Sequence, residues 1–290
     1  MHSFLRAIGF GNIRNRKDEE MLIKLVVENA SERQIFRVSE ERSFLELYME
    51  VSENAGVVVR GEQDEDGVFH VSHYVPIYRG WRISTEETVF INKRVDTDAF
   101  TGMCEDYRIG ISLIFYVQNV VDMLKCPVTK RENRKCPIYL AALATEGKIL
   151  LPVEKTKLEE EQVKAELQNR SLLIEEAKQG NQEAIQSLTF DDIDQYAIVS
   201  KRIQKEDVYS IVETSFIPFG SESDNYSILG YIMNVNKCKN AYTEEEFYVL
   251  SLKCNEMYFA VCIHTENLLG EPEVGRRFRG TVWMQGKIEV

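Results

Sequence analysis

The stretch that decides the reading is LLGEPEVGRRFRGTVWMQG, Leu268–Gly286. It holds four of the chain's sixteen glycines, one of its two tryptophans and the basic cluster Arg276, Arg277 and Arg279. Pro272, Gly275 and Gly280 punctuate it as turns, and Thr281–Met284 reads as a strand. On an extended backbone Arg277 and Arg279 share one face, while Phe278 takes the other with Arg276. A same-face arginine pair beside aromatics can grip a carboxylate or phosphate. The simpler reading is a charged edge strand, protected from pairing with another chain. Either way, the segment closes a β-rich C-terminal lobe, and Phe278 and Trp283 are candidates for its core.

Working outward, Tyr248–Cys254 and Met257–His264 alternate as a hairpin across Asn255-Glu256, although that pair is not a favoured turn. Tyr209–Ile217 and Tyr226–Val235 are strand-like, joined by the turn-rich PFGSESDN, and Asn236–Thr243 reads as loop. Upstream the composition changes. Glu154–Lys178 has seven acidic and five basic residues and no Gly or Pro, with Val163, Leu167, Ile174 and Ala177 on one face. This predicts a helix stopped at Gly180, then a short helix capped by Asn181 and another over Phe190–Gln204 entered at Thr189.

The N-terminal part returns to β character. A helix capped by Asp18, with Leu22, Leu25, Val26 and Asn29 recurring along it, precedes strands at Phe44–Val51, Gly56–Arg60 and Val68–Ile77. Their short connections imply antiparallel hairpins. Thr88–Asn92 and Ile109–Val117 extend the pattern, and Ile138–Ala144 with Lys148–Leu151 reads as a hairpin turning at Gly147. The fold class expected is α+β. Two mainly antiparallel β-rich lobes, 1–152 and 207–290, are joined by a helical segment at 153–206, and the C-terminal lobe is a candidate small barrel.

Composition bounds the function. The hydrophobic fraction of 44% and charged fraction of 28% are those of an ordinary globular chain. A formal charge of −12 argues against a surface given over to nucleic acid. The apolar run Ile109–Val121 is short and interrupted by Gln118 and Asn119, so no membrane association is expected. Arg6 breaks the N-terminal apolar stretch, which does not read as a signal peptide. The six cysteines form no C-x-x-C pair and read as reduced structural thiols, consistent with a cytoplasmic protein.

Chemistry-bearing motifs are few. His70 and His73, three apart on a strand, point to opposite faces unless the backbone bulges, so no metal site is expected. Asp64-Glu65-Asp66-Gly67 lacks the ligand spacing of a calcium loop and reads as a hairpin turn. Lys125–Lys135 carries five basic residues against Glu132, including Lys130, Arg131 and Arg134, and is bracketed by Cys126-Pro127 and Cys136-Pro137. It suits a phosphate-binding loop or the two-cysteine half of a metal site; a solvated loop is the plainer reading. No nucleophile elbow and no phosphate-cradling glycine loop is present, and Gly9-Phe10-Gly11 is too brief for a dinucleotide fingerprint. No catalytic residue and no cofactor is assigned.

The start MHSFLRAIGF, the central EDVYSIVETSFIPFGSESDNYSILGYI and the end GEPEVGRRFRGTVWMQG resemble an uncharacterised protein family of anaerobic Gram-positive bacteria. The resemblance covers essentially the whole chain. It implies a bacterial cytoplasmic protein with a fold of its own, and it carries no catalytic or binding residue across.

These observations favour a non-enzymatic binding or interaction protein, with a protein or small anionic ligand as partner and Arg277, Arg279, Lys130, Arg131 and Arg134 as candidate contacts. Two alternatives stand beside it. One is an enzyme of unrecognised type with a pocket between the lobes, drawing on Asp191, Asp192, Tyr226 and Arg277. The other is nucleic-acid binding through local basic patches.

Overall fold

A computed structural model describes residues 3–94, 99–106, 108–126, 134–153, 208–220 and 223–289, with 169, 172–173, 176–177, 179–184 and 186–188 in between. Residues 1–151 and 214–290 form one compact unit and 152–213 a second. The class is α+β, with sheet carrying most of the fold.

The first unit begins with a 3-10 turn, Leu5–Ile8, whose Leu5, Ala7 and Ile8 are buried. Helix α1 follows at Arg16–Asn29. Its cap is Asn15, three residues before the expected Asp18. The Asn15 side chain accepts from the Lys17 and Asp18 backbone N–H groups, and Asp18 reaches back to the Asn15 N–H. This reciprocal box satisfies donors that would otherwise be orphaned. Leu22 and Val26 alone are buried along α1, so the helix rests on the sheet by a narrow stripe.

Strands β1 (Glu32–Arg37), β2 (Ser43–Ser52), β3 (Ala55–Gln63) and β4 (Phe69–Tyr78) form an antiparallel four-stranded sheet in that order. The expected three-strand meander is β2–β4. The edge strand β1 has only two half-buried positions and escapes pattern reading.

The second sheet holds β5 (Thr85–Glu87), β6 (Phe90–Lys93), β7 (Phe100–Asp106), β8 (Ile111–Val117), β9 (Cys136–Leu150), β10 (Ser215–Pro218), β11 (Asn225–Lys239), β12 (Glu246–Cys254), β13 (Met257–His264), β14 (Leu268–Leu269) and β15 (Arg277–Ile288). Among the described residues its order is β10-β11-β12-β13-β9-β15-β8-β7-β6, with β5 and β14 beside β9. Helix α2, Val120–Lys125, follows β8.

This arrangement corrects the two-lobe expectation. Strands from 1–152 and from 207–290 share one sheet, because β15 pairs with β9 from Arg277↔Leu150 to Ile288↔Ile138 and also reaches β8. Pairing between strands so far apart in sequence leaves no trace in local periodicity. The same pairing corrects the edge reading of β15. Its first half lies between β9 and β11, and its second between β9 and β8. Phe278, Val282 and Met284 are fully buried, each contributing roughly 1.5–3 kcal/mol by leaving water.

Gly147 is a second correction. It belongs to the uninterrupted β9, opposite Gly280 of β15, and makes no turn. A Cβ there would lie 2.3 Å from the Phe278 ring, and one at Gly280 would lie 2.6 Å from it. The glycine pair makes room for an aromatic ring laid across two strands, a strand use of glycine that resembles a turn signal in sequence.

β12 and β13 form the expected hairpin. Asn255 and Glu256 are both left-handed, with φ of 46° and 61°, as the twist of a two-residue turn demands despite their unfavoured chemistry. The expected strand at Tyr209–Ile217 is replaced at its start by a helical turn, Val208–Ile211, and survives as β10. The polar Asn236–Lys239, expected as loop, continues β11.

In the unit 152–213 the described residues at 169, 172–173, 176–177, 182–184 and 186–188 are helical, and Asn181 caps by accepting from the Glu183 N–H at 3.0 Å. Gly180 is left-handed at φ 88°. The helix over Phe190–Gln204, with Asp191 and Asp192, lies outside the described residues.

Candidate functional site

The residues between β4 and β5, Arg79-Gly80-Trp81-Arg82-Ile83-Ser84, are fastened at both ends and exposed in the middle. At the first end, Arg79 makes a two-armed ion pair with Glu32 at 2.6 and 2.8 Å and lies 3.8 Å from the centre of the Tyr48 ring. At the other, the Ser84 hydroxyl donates to the Tyr258 carbonyl at 2.6 Å and accepts from the Leu140 N–H at 3.0 Å. The Ser84 N–H reaches the Ile138 carbonyl at 2.8 Å, and Arg108 donates to the Ser84 carbonyl at 2.9 Å. Gly80 permits the approach, since a Cβ there would stand 2.7 Å from the Leu140 carbonyl oxygen. A backbone atom cannot yield as a side chain does.

So anchored, the segment holds Trp81 at 61% exposure and sets the Arg82 guanidinium 4.0 Å from the centre of the Tyr258 ring. Beneath them is a cleft of about 210 Å³. Its floor is the sheet itself at Leu140, Leu252, Phe259 and Ala260, all at 5% exposure or less; Met233 and Tyr258 flank it, and Asn234 and Ser251 add polar groups. Its lining comes from β9, β11, β12 and β13, and Met233 sits at a register break in β11 where the strand departs from its partner. Such breaks re-aim side chains. No lining residue is acidic. Arg82 has no carboxylate partner among the described residues; Lys253, 6.0 Å from the same ring, is paired with Glu256 at 2.7 Å.

On the other flank of the segment lies a wider, more polar concavity of about 340 Å³, bounded by Thr85, Glu87, Asp106 and Arg108. Most of its charges are paired, while Glu86, also in its lining, is exposed. Asp106 pairs with Arg108 at 2.5 Å and Glu87 with Lys135 at 3.1 Å. Burial works to raise the Asp106 pKa, but hydrogen bonds from Arg108 and Thr85 outweigh it and hold the carboxyl below its usual range. The smaller cleft is therefore the better site: it has apolar surface and an unneutralised cation.

A third constellation is wholly buried. Arg60 is 0% exposed. It pairs with Glu46 at 2.6 Å, donates to the Gln118 carbonyl at 2.5 Å and bonds the Tyr116 hydroxyl. Burial works to lower the Arg60 pKa, yet Tyr116 and Glu46 more than offset it, while burial pushes the Tyr116 hydroxyl up to about 12. His73 stands 3.4 Å from that hydroxyl, while His70 pairs with Asp64 at 2.8 Å. A register break in the β3–β4 pairing lies between the two histidines, which reach different partners. The buried cluster joins β2, β3, β4 and β8, and none of its groups lines either of the two cavities above.

The residues singled out in the sequence are not brought together as a site. Arg277 is only 3% exposed, and its Nε donates to the Leu151 carbonyl at 2.9 Å, so it holds β15 to the end of β9. Arg279 and Arg134 are exposed, and Lys130 and Arg131 lie outside the described residues. Tyr226 is 1% exposed and ties β11 to β8, its hydroxyl accepting from the Ile114 N–H at 2.7 Å and donating to the Ile114 carbonyl at 3.0 Å. That is a structural strap. Trp81 and Arg82 passed unnoticed in the sequence. The available signal was the run Arg79-Gly-Trp-Arg82, an aromatic between arginines in a segment without strand alternation.

All six cysteines are free thiols, and burial pushes Cys104 and Cys254 up to about 12. Among the described residues no helix is long and apolar enough to cross a membrane.

Comparison with known proteins matches no curated protein and no solved structure. Residues 5–286 do match a family described as a domain of unknown function from an E. rectale gene description, DUF3881. That match spans nearly the whole chain and agrees with the resemblance carried by its two ends and centre. The chain belongs to the DUF3881 family.

Proposed function

We propose that this is a non-enzymatic binding protein of the cytoplasm whose contact surface is the cleft beneath Trp81 and Arg82. The observation that carries the reading is the double anchoring of an otherwise exposed Trp-Arg pair over a cleft. Tryptophan and arginine are among the residues that dominate binding surfaces. Anchoring removes the ordering cost that a mobile loop would incur on binding. The pairings β11–β12–β13–β9–β15–β11 run in a cycle. They support a small barrel with β9 as its fifth stave, a refinement of the barrel expected from the C-terminal strands alone.

The enzyme reading draws less support, since Tyr226 and Arg277 are engaged in holding strands and Arg60 is 0% exposed with its donors taken up by Glu46, Tyr116 and Gln118. Binding through basic patches rests on Arg134 and Arg279, against a net charge of −12.

The test is a screen of small aromatic compounds read by tryptophan fluorescence. Trp81 is exposed, whereas Trp283 is 5% exposed with its Nε1 donating to Asp224 at 2.8 Å. Saturable changes that vanish in Trp81→Ala support the cleft. Changes that persist in that variant place the site elsewhere.

A further inference from the structure

We infer that the ligand class of the cleft is a small aromatic carboxylate, with its ring in the cleft and its carboxylate on Arg82. This rests on the binding reading above and adds the chemistry of the occupant.

Size comes first. A sealed apolar cavity of roughly 150 Å³ holds one benzene ring, so about 210 Å³ suits a single ring with a short tail. It is too small for a nucleotide or a drug-sized molecule, whose sites run from about 300 Å³ upward. Shape follows from the walls. Trp81 offers an exposed indole, and Met233 a soft, adaptable thioether. The sheet at Leu140, Leu252, Phe259 and Ala260 closes the bottom. These surfaces favour a flat apolar body.

Charge sets the remaining group. Arg82 is the one charged side chain among the lining residues, and no acid faces it there. Its guanidinium is held against the Tyr258 ring, 4.0 Å from the ring centre. Stacking leaves the edge of the guanidinium, with its forked donors, open to a carboxylate. The Ser251 hydroxyl, with no hydrogen-bond partner among the described residues, lies in the same wall and can donate to the second oxygen. A cationic ligand would meet Arg82 at close range with no carboxylate to relieve the repulsion.

The experiment compares three probes of one shape: phenylacetate, phenylacetamide and 2-phenylethylamine. Each is titrated calorimetrically into the full chain and into Arg82→Gln and Trp81→Ala, with thermal melts confirming that both variants fold. Ligands of this size bind at about micromolar to millimolar Kd. The expected order is carboxylate tightest, amide weaker, amine weakest. Arg82→Gln should weaken phenylacetate about ten-fold, the scale of one charged hydrogen bond, and leave phenylacetamide unchanged. Trp81→Ala should weaken both.

Equal binding of carboxylate and amide, or an Arg82→Gln variant that holds phenylacetate as well as before, overturns the carboxylate assignment while leaving the cleft as a binding site. Failure of all three probes to bind the wild-type chain overturns the cleft itself.

Discussion

Arg60 and Arg82 flank the same strand, β4, and have opposite fates. Arg60 points into the protein, where Glu46, Tyr116 and the Gln118 carbonyl take up its donors. Arg82 points outward and has only the face of Tyr258 beside it. Taking a cation out of water is tolerable only when its charge and hydrogen bonds are met, so Arg60 must be fully partnered. Arg82 stays in water and retains its capacity for a partner from outside. The difference separates an ionic group that holds the fold from one that is free to bind. It also shows why a buried, strongly coupled cluster need not be an active site.

Substitution of each arginine should break that comparison apart. Arg60→Met should have the largest effect. It strands the Glu46 carboxylate with 8% exposure, at a cost of about 3–5 kcal/mol, measurable by urea denaturation. The double variant Arg60→Met with Glu46→Leu should recover much of that loss, since no charge is then left buried. Next in size is Asp106→Asn, which weakens the latch that Arg108 throws across to Ser84, at about 1–3 kcal/mol. The Asp106 pKa is held below its ordinary 3.8 in the folded chain. Its contribution is therefore present above that value and lost as pH falls below it. An acid titration of wild-type stability should steepen below pH 3.8, and Asp106→Asn should remove that component.

Ser84→Ala comes third. It leaves the Leu140 N–H and the Tyr258 carbonyl without their shared hydroxyl, costing about 1–2 kcal/mol. Because Ser84 positions the Trp81–Arg82 pair, its loss should also weaken cleft binding in the same sample. Arg82→Gln should be smallest on stability, within about 0.5 kcal/mol, although it abolishes the preference for a carboxylate. An Arg82 variant as unstable as the Arg60 variant would erase the distinction.

Much of the sheet content could be read from the chain, and the site could not. Strands β2, β3, β4, β8, β12 and β13 announce themselves by alternation or by runs of Val and Ile. β1 and β7 do not, because exposed Glu32 and Arg33, half-buried Gln34 and the mixed Thr101-Gly-Met-Cys-Glu-Asp106 carry too little apolar contrast. β9 reads as two strands divided at Gly147, because a glycine that shelters Phe278 and one that turns a chain look alike in sequence. Joining the two halves of the chain into one sheet depends on β15 meeting β8 and β9, a contact no local pattern encodes. The arginines of β15 drew notice for their charge, but charge says little until burial is known, and Arg277 proved to be 3% exposed. Trp81 escaped because an exposed aromatic in a connecting segment has no periodicity to flag it. Its significance depends on Gly80 and Ser84 fastening that segment to Leu140 and Tyr258.

The most direct test of the cleft as the binding site is amide-resolved NMR of the isotopically labelled chain during titration with phenylacetate. Shifts should concentrate on the Trp81 indole N–H and on the amides of residues 81–84, 233–234, 251–252 and 258–260, with the Trp283 indole N–H and residues 276–279 unmoved. Shifts centred instead on Arg277–Arg279, or no shift at all, would contradict the account.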